Sequence, residues 1–367
     1  MSLVEASIEG PIQSVASDGA GGAVLVSMGV TILFTPGDEL IDPPDNSVPP
    51  APVRKKSIRT PTQRLGVDQL ISKAAFPGRN TLEGFVGGTN IAEGFYSTDN
   101  VNGVNVFIAN HITVEPAETV LIGAVTANDG SNISLNTTKI VPLTDTRLST
   151  NPDDPSSPIY LNDSGFPITL TSIAVAPSTP NPPPPATPPA PSSAEGYFAG
   201  GEFHAFKIEY GSPGLLAPNT PPGMPPAFPR VSIERANVGN DGTSFDIEVR
   251  GFISTPPPLP VTNHVLEFRV LDMKSGTLGL KPTDWEYRGG SEAAANITAI
   301  GTLRVDLRTT GGIPITQVPP VQRWRFRGVL PRTGVHLLPP ERIEVRNVTA
   351  ETALHQPVRE TSDTDVK

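Results

Sequence analysis

Hydrophobic positions in this chain recur mostly with a period of two. In Val265-Leu266-Glu267-Phe268-Arg269-Val270 the residues Leu266, Phe268 and Val270 fall on one face, and Glu267 and Arg269 on the other. That alternation is the signature of a half-buried strand. Thr302 to Leu307, His204 to Glu209 and Phe245 to Phe252 alternate in the same way. Further strands are predicted over Ile8–Val15, Ala23–Val26, Met28–Phe34, Thr81–Val86, Val106–Ile112, Val120–Val125, Ile133–Leu143 and Phe166–Leu170. Three more are predicted over Val231–Ala236, Trp324–Leu330 and Glu341–Arg346. Val, Ile, Thr and aromatic residues dominate these runs, as a pleated surface favours. Clusters such as Ser17-Asp18-Gly19-Ala20-Gly21-Gly22, Asn128-Asp129-Gly130-Ser131 and Asn240-Asp241-Gly242 supply the turns between them. The only helical reading is a short one over Val67–Ile71. No stretch of twelve residues carries a helical period.

The pattern is written more than once. Ala92-Glu93-Gly94-Phe95-Tyr96 returns as Ala194-Glu195-Gly196-Tyr197-Phe198 with its aromatics exchanged, and each copy leads into an alternating strand. Upstream, Ile8-Glu9-Gly10 and Met28–Phe34 match Ile122-Gly123 and Leu135–Leu143. Asp145 and Leu148 stand near where Asp38 and Leu40 stood. Two matched halves in one order make a duplication, each half closed by the Ala-Glu-Gly hairpin. Glycine there allows close backbone approach, and the aromatics are expected to fill the core. Trp324–Leu330 with Glu341–Arg346 resembles that closing hairpin a third time, with a longer loop. The expected domains are therefore 1–114, 115–212 with a Pro-rich insertion at 177–191, and a divergent third over 230–348. A Pro-rich linker, 213–229, precedes the third domain. Asp42 to Pro61 is a second Pro-rich excursion, and 349–367 reads as a polar tail without periodicity, expected to be mobile.

Composition narrows the function. The 43 Pro and 34 Gly among 367 residues are about a fifth of the chain, short of low-complexity disorder. With 27 basic and 37 acidic residues the net charge is −10, so no electrostatic footprint for nucleic acid or an anionic membrane is expected. Cysteine is absent, which excludes disulfides, thiolate metal sites, a thiol nucleophile and covalently attached haem. The most apolar run, Ala23 to Phe34, is too short to span a bilayer, so no transmembrane segment is expected. Met1-Ser2-Leu3-Val4-Glu5 shows no basic n-region or apolar h-region. Export is expected by a route without a classical signal, or from a form whose leader was removed.

The residues Ile8-Glu9-Gly10, Met28–Phe34, Ile122-Gly123, Leu135–Leu143, both Ala-Glu-Gly hairpins and Arg342-Ile343-Glu344-Val345 together resemble the OB-like β-barrel domains of unknown function that recur in secreted and cell-envelope proteins of bacteria. The resemblance implies an all-β fold of tandem OB-like small β-barrels or sandwiches joined by Pro-rich extended linkers. It also implies an extracellular or cell-surface location. Fold likeness by itself carries no activity.

Candidate chemistry is thin. His111, His204, His264, His336 and His355 show no metal-site spacing, although Glu202 and His204 lie two apart on one strand and could face the same way. Asp38, Glu39, Asp42 and Asp45 form an acidic loop, and Asp99 to Gly103 an oxygen-rich turn. Neither has EF-hand spacing, and Asp145, Asp153 and Asp154 fit one no better. No Gly-x-Ser-x-Gly elbow supports a serine nucleophile. A two-carboxylate hydrolase is a third reading, resting on three-dimensional separations that sequence does not give. No catalytic residue, cofactor or metal is therefore assigned. Trp285 with Tyr287, and Trp324 with Phe326, are spaced as stacking platforms or as core. Arg323, Arg325, Arg327, Arg332 and Arg342 are read as partners for acidic loops on a neighbouring unit.

Open sheet edges, low surface charge and stiff Pro-rich arms suit assembly. The expectation is a non-enzymatic structural protein, self-associating into an extracellular or cell-surface fibre or layer. Its contacts are expected at Pro182, Pro183, Pro184, Pro185, Trp324, Arg325 and Arg327. The alternative is a monomeric module that binds a surface polysaccharide through an exposed Trp285 or Trp324.

Overall fold

A computed structural model describes residues 3–39, 55–101, 104–148, 159–162, 192–210, 230–254, 263–277, 279–290, 299–306, 321–333, 337–355 and 357–366. The fold is all-β. The chain divides into two compact units, Met1–Ile159 with Ser193–Ile208 and Gly276–Pro282, and Tyr160–Ser192 with Glu209–Ser275 and Thr283–Lys367.

In the first unit one bent strand serves two neighbours. Strand β1 (Leu3–Ser17) pairs through its first half with β6 (Thr89–Val101) and through its second half with β2 (Ala23–Ser27). The pairing changes over between Pro11 and Ile12, and a bulge follows between Ile12 and Ser14 in the β1–β2 ladder. Strand β3 (Val30–Phe34) continues from β2 and lies parallel to β7 (Val104–Glu115), which pairs antiparallel with β6. The ring β1-β2-β3-β7-β6 closes into a five-stranded barrel. Closure removes the strand edges that an open sheet leaves exposed. Alternation fills it, with Ile12, Leu25, Ile32, Phe34, Phe107, Ala109 and Ile112 all buried. Two short strands, β4 (Ser57–Arg59) and β5 (Arg64–Leu65), extend the sheet beside β7, followed by the single-turn helix α1 (Val67–Leu70).

The second sheet of this unit repeats the pairings. Strands β8 (Thr119–Gly123) and β9 (Val125–Asn128) are the two halves of one strand interrupted at Ala124. They are followed by β10 (Ile133–Leu135), β11 (Thr138–Pro142), β12 (Ile159–Asn162), β13 (Ser192–Ala199) and β14 (Glu202–Tyr210). The order is β8-β13-β14-β11-β10-β9, and β11 runs parallel to β14 as β3 does to β7. Leu143, Leu148, Tyr197 and Phe206 belong to the same core as Ile8 to Val114.

The second unit is two facing sheets. Strands β15 (Arg230–Asn240) and β16 (Ser244–Ser254) form a hairpin, and β17 (Asn263–Met273) carries β18 (Trp285–Tyr287) and β19 (Ala299–Asp306). Next come β20 (Val321–Pro331), β21 (Arg342–Asn347), helix α2 (Val348–Leu354), β22 (Arg359–Asp363) and β23 (Asp365–Val366). One sheet is ordered β20-β16-β15-β23, and the other β18-β17-β21-β22 with β19 on β17. Phe245, Ile247 and Val249 from the first meet Leu266, Phe268, Ile343 and Val345 from the second in one core. Leu266, Phe268 and Val270 point inward as their alternation predicts.

Several expectations change. Met28 and Gly29 form the β2–β3 turn at φ 52° and 77°, so that strand starts at Val30. Thr81–Val86 is a series of turns, with Val86 N donating to Glu83 O at 2.9 Å. Ser57–Arg59, read as part of the Pro-rich excursion, is the strand β4. The third closing hairpin does not form: β20 pairs with β16 and β21 with β17, in different sheets. The polar tail is folded, as α2, β22 and β23. Phe198 is exposed, while Tyr197 is buried. The strand expected over 166–170, the tract 177–191 with Pro182, Pro183, Pro184 and Pro185, the linker 213–229, His336 and the acids Asp42, Asp45, Asp153 and Asp154 lie outside the described residues.

Candidate assembly surface

Strand β20 brings the sequence candidates together and divides them by face. Its even positions turn inward, where Trp324 is 3% exposed and packs edge-on to Phe268 at 5.5 Å between centroids. Phe326 stacks on the same ring at 4.1 Å. Trp324 is therefore core and offers no contact surface, contrary to the expectation from sequence. The odd positions turn outward, with the side chains of Arg323, Arg325 and Arg327 exposed by 56%, 51% and 68%.

Their partners lie in the same sheet rather than on a neighbouring unit. Arg323 Nη2 donates to both carboxylate oxygens of Glu234 on β15, at 2.9 and 2.7 Å. Arg325 and Arg327 share Glu248 on β16, the latter through Nε at 3.2 Å. The Arg325 hydrogen bond, with both guanidinium charges, holds the Glu248 carboxyl below its ordinary range. Arg250 stands 4.0 Å from Glu234, so two carboxylates are spread over four guanidinium groups. Asp246 is also exposed on this face, so among the described residues this end of the sheet sets four arginines against three carboxylates, a small basic surplus in a chain that is acidic as a whole. Arg342, the other member of the sequence cluster, pairs instead with Asp363 and lies over the Trp285 ring at 3.9 Å.

The backbone of β20 matters as much as its charges. It pairs with β16 through all 11 of its residues, from Ser254↔Val321 to Ser244↔Pro331, and among the described residues with no other strand. Strand β19 packs below it, with Ile300 next to Gly328, and hydrogen-bonds β17. At the opposite side of the unit β22 pairs with β21 in one sheet while β23 pairs with β15 in the other, so the C-terminal segment seals that margin. Glu351 anchors it by accepting from Arg346 Nε at 2.9 Å, Val358 N at 3.1 Å and Arg359 Nε at 2.9 Å. Burial alone would raise the Glu351 pKa, yet these donors outweigh it and hold the carboxyl below its ordinary value.

Other polar clusters have structural partners. Glu202 binds Lys139 at 2.6 Å, and His204 stacks on Tyr197 at 5.5 Å, so the pair is not a common ligand set. Asp145 holds Arg147 through Nε at 2.9 Å and Nη2 at 2.8 Å, and that guanidinium covers Phe76 at 3.8 Å. Trp285 is 6% exposed at a cleft of about 520 Å³ lined also by Asp272, Lys274, Glu286 and Tyr287. Arg342 covers one face of its ring, so neither tryptophan forms the exposed platform that polysaccharide binding called for. Among the described residues no group of three His, Asp or Glu is placed to hold a metal.

One constellation was missed by sequence. His111 on β7 meets Ser57 Oγ through Nδ1 at 2.8 Å and Glu39 Oε1 through Nε2 at 2.6 Å. The parallel register Ser57↔His111 makes the first contact, and no local signal encodes that register. Strand β4 lies between β5 and β7 and pairs with both. Lys56 N donates to Gly37 O at 2.9 Å, and Lys55 pairs with Asp38. The relay and these bonds tie 37–39 to 55–57 at one point of the barrel. No protein-family model, curated protein or solved structure matches this chain.

Proposed function

We propose that this chain is a non-enzymatic structural protein, a self-associating subunit of an extracellular or cell-surface fibre or layer. We read its first unit as two OB-like barrels in tandem, on the repeated strand order and the repeated hairpin glycines. The observation that carries the assembly reading is the contrast in edges. The five-stranded barrel closes on itself, whereas β20, 11 residues long, is paired on one side among the described residues. A long edge strand is a template for another chain unless something covers it. The Pro-rich stretches at 42–59 and 177–191, expected from sequence to be extended, are the second source of contacts in this reading, since extended segments dock through main-chain hydrogen bonds.

Light scattering of the full chain over a hundredfold range of concentration tests this reading. A mass that rises from monomer to multimers is expected. A constant monomer mass at the highest concentration would contradict it.

A further inference from the structure

The side chains on β20 restrict which strand can join it. If two copies of β20 paired antiparallel, the row Arg323, Arg325 and Arg327 would face the same row of the other copy. Like charges directly opposite across a strand pair are destabilising. An acidic segment in the same place would complement the row and relieve the shortage of carboxylates noted above, where Glu248 serves both Arg325 and Arg327. The chain has 37 acidic against 27 basic residues, so acidic surface is abundant away from this strand. Val329, 62% exposed at the end of the row, adds an apolar contact for the incoming chain.

Resting on the self-association reading, we infer that the edge of β20 left unpaired among the described residues receives an extended acidic segment of a second copy of this chain. The segment adds a strand next to β20 in the sheet β20-β16-β15-β23. Main-chain hydrogen bonds supply the attraction, and the arginine row sets register and rejects the homotypic pairing. Acceptor edge and donor segment are different patches, so the contact is heterologous. Repeated from copy to copy, such a contact forms a ring or an open filament rather than a two-fold dimer. Screening of the exposed charges makes it weaken as salt rises.

The test uses the full chain with R323E/R325E/R327E and, as a milder set, R323Q/R325Q/R327Q, each checked by thermal melting and followed by sedimentation velocity. Wild type is expected to associate. The glutamine set should associate at least tenfold more weakly with an unchanged melting temperature, and the glutamate set should be monomeric. In wild type, hydrogen exchange of the β20 amides should slow on assembly. Wild-type multimers, with both variants associating equally well and β20 exchange unchanged, would overturn this inference and leave self-association standing. A wild type that stays monomeric would remove both.

Discussion

At the residue scale the fold depends on places where a side chain cannot be accommodated. A Cβ on Gly94 would lie 2.1 Å from Ile108 O, and one on Gly196 would lie 1.9 Å from His204 O. Both obstacles are backbone carbonyls of the partner strand, which cannot swing aside. Upstream, Gly10 and Gly123 each give room to the side chain of a turn residue at positive φ, Met28 and Asn136. Gly94→Ala or Gly196→Ala should therefore cost roughly 1–3 kcal/mol, the range for overpacking. Gly239→Ala should be close to neutral, because its Cβ would meet Asp246 Cβ at an ordinary 3.6 Å. Chemical denaturation of the three variants checks this, and equal stability of all three would refute it. The importance of Gly94 and Gly196 was legible because the chain repeats the string around them. The fate of the aromatics was not. Tyr197 is buried and donates to Pro77 O at 2.7 Å, while Phe198 remains exposed, and only tertiary neighbours decide between them.

At the scale of elements, strands were legible and their partners were not. Alternation located β17 and β21 because Leu266, Phe268 and Val270, and Ile343 and Val345, enter one core at every second position. The same reading joined β20 to β21 as a hairpin, although they lie in different sheets. Pairing over long separations depends on register and closure, which periodicity does not contain. Helix α2 escaped notice for a different reason. It is 7 residues long, capped by Asn347 accepting from Ala350 N at 3.1 Å, and held by an ion network instead of an apolar stripe. Glu351 is the centre of that network, and its depressed pKa fixes the sign of a pH effect. A carboxyl held below its ordinary value adds stability above that value, near 4.5, and loses it as pH falls through the folded-state pKa. Glu351→Gln should lower stability by roughly 2 kcal/mol at pH 7, in line with charged hydrogen bonds. The gap should narrow below pH 4, and hydrogen exchange over 348–366 should speed up at neutral pH. A gap that is constant from pH 7 to pH 3 would contradict this role.

At the scale of the whole molecule, a closed barrel in the first unit contrasts with a long edge strand in the second. Barrel closure in the first unit leaves fewer strand edges there, and among the described residues of the second unit β20 is the longest strand paired on one side, ahead of β19 on β17 and β22 on β21. The arginines on β20 were visible in the sequence as a cluster. Their arrangement in one outward row beside an open edge became visible only once β16 was placed next to them, since Glu234 and Glu248 lie 89 and 77 residues from their partners. The tryptophan of the same strand was misjudged as a contact for the complementary reason, that alternation turns it inward. A negative-stain electron micrograph of the purified full chain at high concentration and low salt separates polymer from monomer by eye. Filaments, rings or layers of repeating subunits are expected. Fields of isolated single molecules would contradict self-association.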